Sequence, residues 1–408
     1  MHQAESDLFA LSRRYGAVRA ATEALAAPLS AEDQSIQSMP DASPTKWHLA
    51  HTTWFFERLI LATKSGYRVF HERYDELFNS YYLGIGTPFV RSERGLLSRP
   101  SAAEILDYRR HVDLAMTDVL GDRALSPLIA LGLAHEEQHQ ELILTDIKHA
   151  FSRNPLLPAY SMAEPGLAPA APALSWWQFG GATGPIGHDG STFSFDNERP
   201  VHPVAVAPFR LASRLVSCGE YQSFIDDGGY RRPELWLSDG WALAQSQGWW
   251  APLYWRPDGS VFTLHGVRPR QAGEPVIHVS FYEAAAYAAW AGKRLPTEFE
   301  WECAAHDLRV EGNFRSEVFL PRAAGHGARQ QMFGDAWEWT RSSYDPYPGF
   351  RPFGGVAAEY NGKFMVGQLV LRGGSCVTPP GHLRPTYRNF FPPATRWQFS
   401  GIRLAEDA

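Results

Sequence analysis

The stretch His135-Glu-Glu-Gln-His139 lies inside a long helical pattern that runs from Ser126 to Ser152. Residues four apart lie on one face of an α-helix, so the two imidazoles at the ends of this stretch can reach a single metal ion. The pattern therefore predicts a helical domain in this part of the chain, with a metal site on the face that carries both histidines.

A second histidine pair, His48 and His51, lies upstream in Trp47-His-Leu-Ala-His51-Thr-Thr-Trp-Phe-Phe-Glu57, a pattern that also favours a helix. Two such helices in one bundle can provide three imidazole nitrogens and leave coordination positions open. An open site of this kind predicts chemistry at the metal rather than a structural cross-link.

Four helices are predicted before residue 154, and this number favours a four-helix bundle, which often holds metals between facing helices. Ser43 is predicted to cap the second helix, and Ser101-Ala-Ala-Glu104 has the form of a capping box. The glycine-rich loop 78–98 between the second and third helices is long enough to indicate a functional segment. The predicted helices are Leu8–Ala27, the one that opens at Ser43-Pro44, Ile105–Leu120 and Ser126–Ser152.

The rest of the chain differs from the helical part in composition and in its patterns. A segment rich in proline and alanine predicts a linker over 154–175, between a helical domain at 1–153 and a second domain at 176–408. In the second domain, glycine, proline and tryptophan punctuate short strand-like patterns, and only two helical patterns stand out, Cys218–Asp227 and Ser280–Gly292. We expect an irregular α+β domain.

The composition favours a globular protein without affinity for nucleic acid. Of the 408 residues 44% are hydrophobic, the net charge is -6, and the basic residues are scattered. The three cysteines, Cys218, Cys303 and Cys376, argue against a disulfide framework and favour the reducing cytoplasm. Neither a signal peptide nor an apolar run of the roughly 20 residues of a membrane helix is visible, so we expect a cytoplasmic protein without a membrane partner.

Motifs in both domains together resemble the ergothioneine-biosynthetic sulfoxide synthases. The resemblance implies an all-α DinB-like four-helix bundle, followed by an irregular α+β domain like formylglycine-generating enzymes, with C-type-lectin topology. The matching segments are Ser43-Pro-Thr-Lys-Trp-His-Leu-Ala-His51, His135-Glu-Glu-Gln-His-Gln-Glu-Leu142, Trp290-Ala-Gly-Lys-Arg-Leu-Pro-Thr-Glu-Phe-Glu-Trp301, Gly334-Asp-Ala-Trp-Glu-Trp339, Leu371-Arg-Gly-Gly-Ser375, Tyr387-Arg-Asn-Phe-Phe391 and Arg396-Trp-Gln-Phe-Ser-Gly-Ile-Arg403.

The resemblance implies a non-haem iron(II) oxidoreductase that uses O2. Such an enzyme joins the sulfur of cysteine or γ-glutamylcysteine to the imidazole C2 of hercynine, Nα-trimethylhistidine, and leaves the hercynylcysteine S-oxide of ergothioneine biosynthesis. Two alternatives stay open at this point: a selenoneine synthase or another imidazole sulfoxide synthase on the same scaffold, and a non-catalytic metal-binding or ligand-binding protein.

The resemblance assigns the iron to His51, His135 and His139, and imidazole nitrogens suit iron(II). It leaves His48 as a packing residue or as a neighbour of the ligands. A rival interpretation comes from the same stretch, because His-Glu-x-x-His is also a zinc-protease pattern in which Glu136 is the general base. That interpretation explains neither the upstream motif nor the second domain, and we expect Glu136 to be only a polar helix residue.

Two further pairs of candidate site residues, one of arginines and one of tyrosines, lie on loop 78–98. The resemblance places the carboxylate of the thiol substrate at Arg91 and Arg94, whose guanidinium groups can form bidentate hydrogen bonds. It places a proton donor at Tyr81 or Tyr82, because a phenol near the metal can protonate reduced oxygen.

The imidazole of hercynine is assigned by the resemblance to Gln138 and Asn389. Phe391 stands where another branch of the family has an acidic residue, which favours cysteine over γ-glutamylcysteine. The trimethylammonium group suits an aromatic face, for which Phe390, Trp337 and Trp397 are candidates. Cys376 stands alone, so an oxidase mechanism based on a cysteine pair is not expected, and we predict a buried thiol.

Overall fold

Residues 2–316, 318–327 and 329–408 are described by the computed structural model, and the chain divides into two units. The first unit comprises the chain up to Tyr160 together with Phe353–Glu359, and the second comprises Ser161–Pro352 and Tyr360–Ala408. The domain limits 1–153, 154–175 and 176–408 stay a prediction.

The first unit is helical, as predicted. Helix α2 packs against α1, α4 and α5, and α1 packs along α5, so that these four helices form the expected bundle. The helices are α1 (His2–Ala26), α2 (Thr45–Leu59), α3 (Tyr74–Phe78), α4 (Ala102–Met116) and α5 (Ser126–Arg153).

Capping explains one helix start and fails to explain another. The capping box of Ser101 and Glu104 is formed at the start of α4. The prediction that Ser43 caps the second helix is wrong, because α2 begins at Thr45 without a side-chain cap. Instead, the backbone N–H of Ser43 donates to Asp146 Oδ2 and its hydroxyl accepts from Arg94. Tertiary hydrogen bonds have replaced the local one.

A glycine allows α5 to approach α2 closely. A Cβ atom at Gly132 would lie 2.6 Å from Cε1 of Phe56 and 2.9 Å from Cε1 of Phe55. Glycine costs about 1 kcal/mol relative to alanine inside a helix. The close approach lies one turn before His135 and brings the histidines of the two helices within reach of each other.

The second unit has the mixed α+β character that was predicted. Its sheets have the strand orders β1–β4–β11, β10–β7–β8–β9, β2–β3 and β5–β6. The strands are β1 (Trp176–Phe179), β2 (Ala182–Ile186), β3 (His202–Val206), β4 (Phe209–Ala212), β5 (Ser260–Thr263), β6 (Gly266–Pro269), β7 (Trp337–Ser343), β8 (Leu369–Arg372), β9 (Asn389–Phe391), β10 (Ser400–Gly401) and β11 (Ala405–Asp407).

The expectation of only two helices in the second unit is wrong. The two predicted patterns do form α6 (Cys218–Asp226) and α8 (Phe281–Trp290). Two short helices were missed, α7 (Ser238–Ser246) and α9 (Glu298–Ala305). A capping box of Thr297 and Glu300 opens α9, so its start was visible in the sequence.

One hydrophobic cluster of the second unit contains Trp301 on α9 together with Phe209, Leu211 and Phe333. The indole N–H of Trp301 donates to Glu338 Oε2 at 2.8 Å. Glu338 is fully buried and is paired with Arg403. The tryptophans and arginines of the C-terminal motifs therefore build the interior of this unit.

Candidate metal centre

Helices α2 and α5 bring the three predicted metal ligands together. His51, His135 and His139 each offer a ring nitrogen, and the three atoms lie within 4.8 Å of one another. His51 and His135 are buried, and His139 is 9% exposed. The helical spacing of His135 and His139 and the close approach of α2 produce this convergence.

A backbone carbonyl orients His51. The Nδ1 atom of His51 lies 2.6 Å from the carbonyl oxygen of Phe78, which can only accept, so Nδ1 carries the proton. The bare Nε2 of His51 then lies 3.1 Å from Nε2 of His135. This is the arrangement of a metal-ligating histidine whose other ring nitrogen donates to a backbone carbonyl.

The three imidazoles are held in their neutral forms. Burial lowers the pKa of His135 to about 3. Burial, reinforced by the neighbouring imidazoles, holds the pKa values of His51 and His139 well below the usual value of 6.5. Neutral imidazole is the form that binds metal ions, so this donor set fits a divalent transition metal.

His48 lies beside the three converging nitrogens. Its Nδ1 is 2.8 Å from Nδ1 of His139, and its Nε2 is 3.0 Å from Oδ2 of Asp146. Both of its ring nitrogens are therefore used in contacts with side chains of α5. The assignment of His51 rather than His48 as the metal ligand is consistent with this placement.

The expectation that Glu136 is only a polar helix residue is wrong. Its side chain is fully buried, with Oε2 accepting from Arg19 at 2.9 Å and Oε1 accepting from Arg109 at 3.0 Å. Burial alone would raise the pKa of Glu136, but the two arginines lower it to about 2. Both oxygens are held by guanidinium groups, so Glu136 is not placed to act as the general base of a metallohydrolase.

Two tryptophan rings stack on His51. Trp47 stacks on it at a centroid distance of 4.6 Å, and Trp54 at 5.8 Å, each with an interplanar angle of 14°. The indole N–H groups donate to the Leu77 carbonyl and to Asp75, which fixes both rings. The sequence motifs contain both tryptophans, but their placement around the ligand was not predicted.

Arg94 lies on the outer face of Trp47. Its Cζ is 3.4 Å from the centroid of the ring, and its side chain is buried, with hydrogen bonds to the hydroxyls of Ser43 and Ser80. Within the described chain, Arg94 forms no ion pair with a carboxylate and its Nε has no hydrogen-bond partner. Burial, together with the like charge of Arg91, lowers the pKa of Arg94 to about 9, although the carboxylate of Asp146 acts in the opposite direction.

Arg91 has a different environment from Arg94. It is exposed, and its guanidinium donates to the carbonyl oxygen of Asp41. The two arginines of the predicted carboxylate clamp are thus close enough to repel each other, but Arg94 alone is buried. A buried cation that makes hydrogen bonds to hydroxyls but no direct ion pair favours the binding of an anion.

The tyrosine pair lies on the neighbouring part of the loop. The rings of Tyr81 and Tyr82 stack at 4.6 Å, and Tyr82 also contacts Trp54 at 5.7 Å. Tyr82 is fully buried and Tyr81 is half-buried. The amide of Asn79 accepts from the backbone N–H of Tyr82 and donates to its carbonyl oxygen, each at 2.9 Å, which fixes the turn.

A residue far along the chain also holds this loop. The carboxylate of Glu359, which belongs to the same unit, accepts from the backbone N–H groups of Leu83 at 3.2 Å and Gly84 at 3.0 Å. The sequence contained no signal for this contact, because the two segments are about 275 positions apart.

The residues predicted for hercynine lie in both units. In the first unit, Gln138 is half-buried on α5. In the second unit, Asn389, Phe390 and Phe391 form β9, where pairing with β8 sets Asn389 opposite Leu371. Phe390 stacks on Tyr344 at 4.0 Å, so one face of this ring is used for packing.

The prediction that Cys376 is buried is confirmed. Cys218 is buried as well, and burial raises the pKa of its thiol. Within the described residues, no helix combines the length and the apolar content needed to cross a membrane.

Comparison with known proteins agrees with this two-part architecture. Residues 14–143 match the DinB superfamily, and residues 180–320 and 312–408 match the sulfatase-modifying factor enzyme 1-like domain. These matches confirm the predicted fold classes of both halves.

Curated relatives cover both halves together. The chain is 35% identical over 405 residues to hercynine oxygenase of Mycolicibacterium smegmatis, covering 91% of this chain and 92% of the relative. It is 38% identical over 343 residues to hercynine oxygenase of Mycobacterium tuberculosis, covering 78% and 80%. The formylglycine-generating enzyme of Streptomyces coelicolor is 28% identical over 274 residues, covering 54% of this chain and 84% of that protein. The matches to these hercynine oxygenases extend over both parts of the chain, and the protein belongs to the hercynine oxygenase family.

Proposed function

We propose that this protein is an iron(II)-dependent oxygenase that joins hercynine to a thiol and forms a hercynylcysteine S-oxide in ergothioneine biosynthesis. The observation that carries the proposal is the convergence of three neutral imidazoles, His51, His135 and His139, in a chain of this family. Further support comes from Ergothioneine biosynthesis protein 1 of Schizosaccharomyces pombe, which is 28% identical over 232 residues.

His51, His135 and His139 would hold the metal, and His51 is oriented for this by the Phe78 carbonyl. Iron(II) bound there supplies sites for the thiolate and O2 together with the redox chemistry that couples them. Stacking on Trp47 and Trp54 restrains the His51 ring and favours one orientation of the proposed ligand.

Arg94 is proposed to bind the carboxylate of the thiol substrate. Its positive charge is buried beside Trp47, one ring away from His51. A substrate carboxylate would form the direct ion pair with Arg94 that Asp146, which influences the charge of Arg94 from a greater distance, does not form. Arg91 is exposed, so it would contribute to binding of the carboxylate through its positive charge more than through a buried hydrogen bond.

Replacing Arg94 by leucine is expected to raise the KM for the thiol by about tenfold to a hundredfold, because the loss of a charge-assisted hydrogen bond costs about 1.5–3 kcal/mol. The effect on the KM for hercynine should be smaller. Arg91→Leu is the matched control, and it should have a weaker effect because Arg91 is exposed. Steady-state kinetics with each substrate varied in turn measure both values; an unchanged thiol KM in Arg94→Leu contradicts the assignment.

Tyr81 is proposed as the proton donor during O2 activation. Its ring is half-buried, whereas Tyr82 is buried and locked into the loop by Asn79. The partly exposed phenol is the one that a substrate can approach, and Tyr82 would hold it in place by stacking. Proton delivery by a positioned side chain typically contributes about 10²–10⁴-fold to the rate of the step it assists.

Tyr81→Phe is therefore expected to divert the product from the sulfoxide toward cysteine sulfinate, because the thiol is still oxidised when the proton is not delivered. Tyr82→Phe should change the ratio less. The measurement is the sulfoxide-to-sulfinate ratio by mass spectrometry, with the iron content of each variant checked. A larger diversion in Tyr82→Phe would transfer the role to Tyr82, and wild-type ratios in both variants would show that these tyrosines only pack.

From the family resemblance, Gln138 is proposed as a hydrogen-bond partner of the hercynine imidazole, and Asn389, Phe390 and Phe391 are proposed as substrate-binding residues. An amide can donate to one ring nitrogen and accept from the other. Phe391 brings no charge to this site, and this favours free cysteine over γ-glutamylcysteine as the thiol. A comparison of kcat/KM for the two thiols decides this point directly.

The test of the proposed function is mass spectrometry of products from hercynine, iron(II) and air with either cysteine or γ-glutamylcysteine. We expect a sulfoxide of hercynine coupled to the thiol, and O2 uptake only when both substrates are present. A product that forms only from a selenium donor, or with the sulfur at a different imidazole carbon, would indicate one of the alternative synthases. Iron binding without O2 uptake would indicate a non-catalytic protein.

A further inference from the structure

A buried chain of polar side chains leads away from the candidate metal centre. Oδ2 of Asp146 lies 3.0 Å from Nε2 of His48, and Nδ1 of His48 lies 2.8 Å from Nδ1 of His139. The three residues are 7%, 2% and 9% exposed, so water competes little for these contacts. Any role of these side chains in metal binding rests on the proposed metal site.

The position of Asp146 is set by the backbone as well as by His48. The backbone N–H of Ser43, just before α2, donates to the same Oδ2 atom at 2.8 Å. Asp146 follows His139 by two turns of α5, and His48 of α2 spans the distance between them. Two helices and the segment before α2 thus hold the chain of hydrogen bonds in one geometry.

The direction of the hydrogen bonds follows from the chemistry of each atom. An ionised carboxylate only accepts, so His48 Nε2 carries a proton and donates it to Asp146. Binding of the metal by His139 requires a bare ring nitrogen on that residue, and the contact between the two Nδ1 atoms meets this requirement when Nδ1 of His48 accepts from His139. His139 must then carry its proton on Nδ1, which leaves its Nε2 with a free lone pair.

We propose that His48 and Asp146 are positioning residues that select the tautomer of His139. By keeping the proton of His139 on Nδ1, they hold Nε2 ready to bind the metal. His51 reaches the same state by a different route, through donation from Nδ1 to the Phe78 carbonyl. One ligand is thus oriented by the backbone, and a second is oriented by an aspartate that acts through another histidine.

The expected consequence is a weaker metal complex when the chain of hydrogen bonds is broken. Loss of an outer partner of a metal-ligating histidine typically weakens metal binding by about 10–100-fold. His48→Leu removes the acceptor for His139 Nδ1–H, and the imidazole is then free to adopt the tautomer with the proton on Nε2. The affinity should fall while the three ligands themselves are retained.

The experiment is titration of the metal-free full-length protein with cobalt(II), followed by its visible absorption, which needs neither substrate nor turnover. His48→Leu is compared with wild type and with His149→Leu as the matched control. His149 lies on α5, and its Nδ1 is 2.7 Å from the hydroxyl of Ser38, so its replacement also removes a hydrogen bond between segments. We expect the cobalt(II) Kd to rise about tenfold to a hundredfold in His48→Leu and to stay near wild type in His149→Leu.

A pair of variants at Asp146 separates the proposed role from a purely structural one. Asp146→Asn can keep one oxygen in the Oδ2 position, where it accepts from both Ser43 and His48, so the direction of the hydrogen bonds is retained. Asp146→Leu removes that acceptor. The cobalt(II) Kd should therefore rise more in Asp146→Leu than in Asp146→Asn.

A spectroscopic signature completes the test. In the zinc-loaded wild-type protein, long-range proton–nitrogen correlation spectra should show His139 protonated on Nδ1, and this state should be lost or mixed in His48→Leu. If His48→Leu and Asp146→Leu bind cobalt(II) as tightly as wild type while His51→Ala does not, the positioning role is wrong and the metal site stands. If His51→Ala also binds with wild-type affinity, the metal site itself is wrong, and the positioning role falls with it.

Discussion

Purified His135→Ala protein is expected to contain almost no iron and to form no sulfoxide. His135 contributes one of three nitrogens that lie within 4.8 Å of one another, and a site with only two protein ligands holds a divalent metal weakly. The loss should exceed the ~10–100-fold that is typical when only an outer partner of a ligand is removed. Metal analysis after anaerobic loading and desalting measures it, alongside product formation.

His51→Ala and His139→Ala should behave in the same way, because all three imidazoles are neutral, converging donors. His149→Ala, in the same helix but bonded to Ser38, should retain its iron. Full iron occupancy in His135→Ala would refute the assignment of the ligands. The iron content separates this outcome from a failure to bind substrate, which would leave the metal in place.

Replacing Glu136 by glutamine is expected to destabilise the protein by about 3–5 kcal/mol, the usual cost of removing one partner from a buried ion pair. Its carboxylate lies between the guanidinium groups of Arg19 and Arg109, and both partners of the Arg109–Glu136 pair are completely buried. Without the negative charge, two buried cations have lost a counter-ion. Thermal or urea unfolding of the two proteins measures the change.

Glu137→Gln is the control next to it in the chain. Glu137 is buried but its partner Arg14 is 36% exposed, so solvent screens this pair and it is expected to contribute less than the fully buried pair of Arg109 and Glu136. If Glu136→Gln has the same free energy of unfolding as wild type but loses all turnover, Glu136 acts in catalysis. That outcome would favour the metallohydrolase interpretation.

Lowering the pH should reveal how much the ion pairs of Glu136 contribute to the stability of the protein. The folded-state pKa of Glu136, about 2, lies below the ordinary value of 4.5, so its contribution to stability is complete above pH 4.5 and is lost as the pH falls toward 2. Glu136→Gln should therefore lose less stability on acidification than wild type. Unfolding curves over this pH range test the sign of the effect.

The sequence by itself determined the elements that depend on local geometry. The four-residue spacing of His135 and His139 places both on one face of α5, whatever the rest of the chain does. The box of Ser101 and Glu104 starts α4 because its hydrogen bonds are made within one turn. The motifs of both halves were sufficient to indicate the family, since a family motif depends on residue identity and spacing alone.

Only the tertiary structure decided which side chains meet across elements. Glu136 looks like any acidic residue of a helix, and its role depends on Arg19 and Arg109, which are 117 and 27 residues away. The hydroxyl of Ser43 was available for a local cap, but the guanidinium of Arg94 binds it instead. Local patterns specify backbone geometry, whereas partners of this kind depend on how the helices pack.

The surroundings of the candidate site illustrate the same limit. The motif was sufficient to favour His51 over His48 as a metal ligand. The contacts of His48 with Asp146 and His139 could not be predicted, because they form only when α2 packs against α5. The hydrogen bonds from the backbone N–H groups of Leu83 and Gly84 to Glu359 could not be predicted from the sequence. Helical period and capping chemistry act over a few residues and can be read from a single chain, while burial, tautomer and ion pairing arise only when distant segments exclude water together.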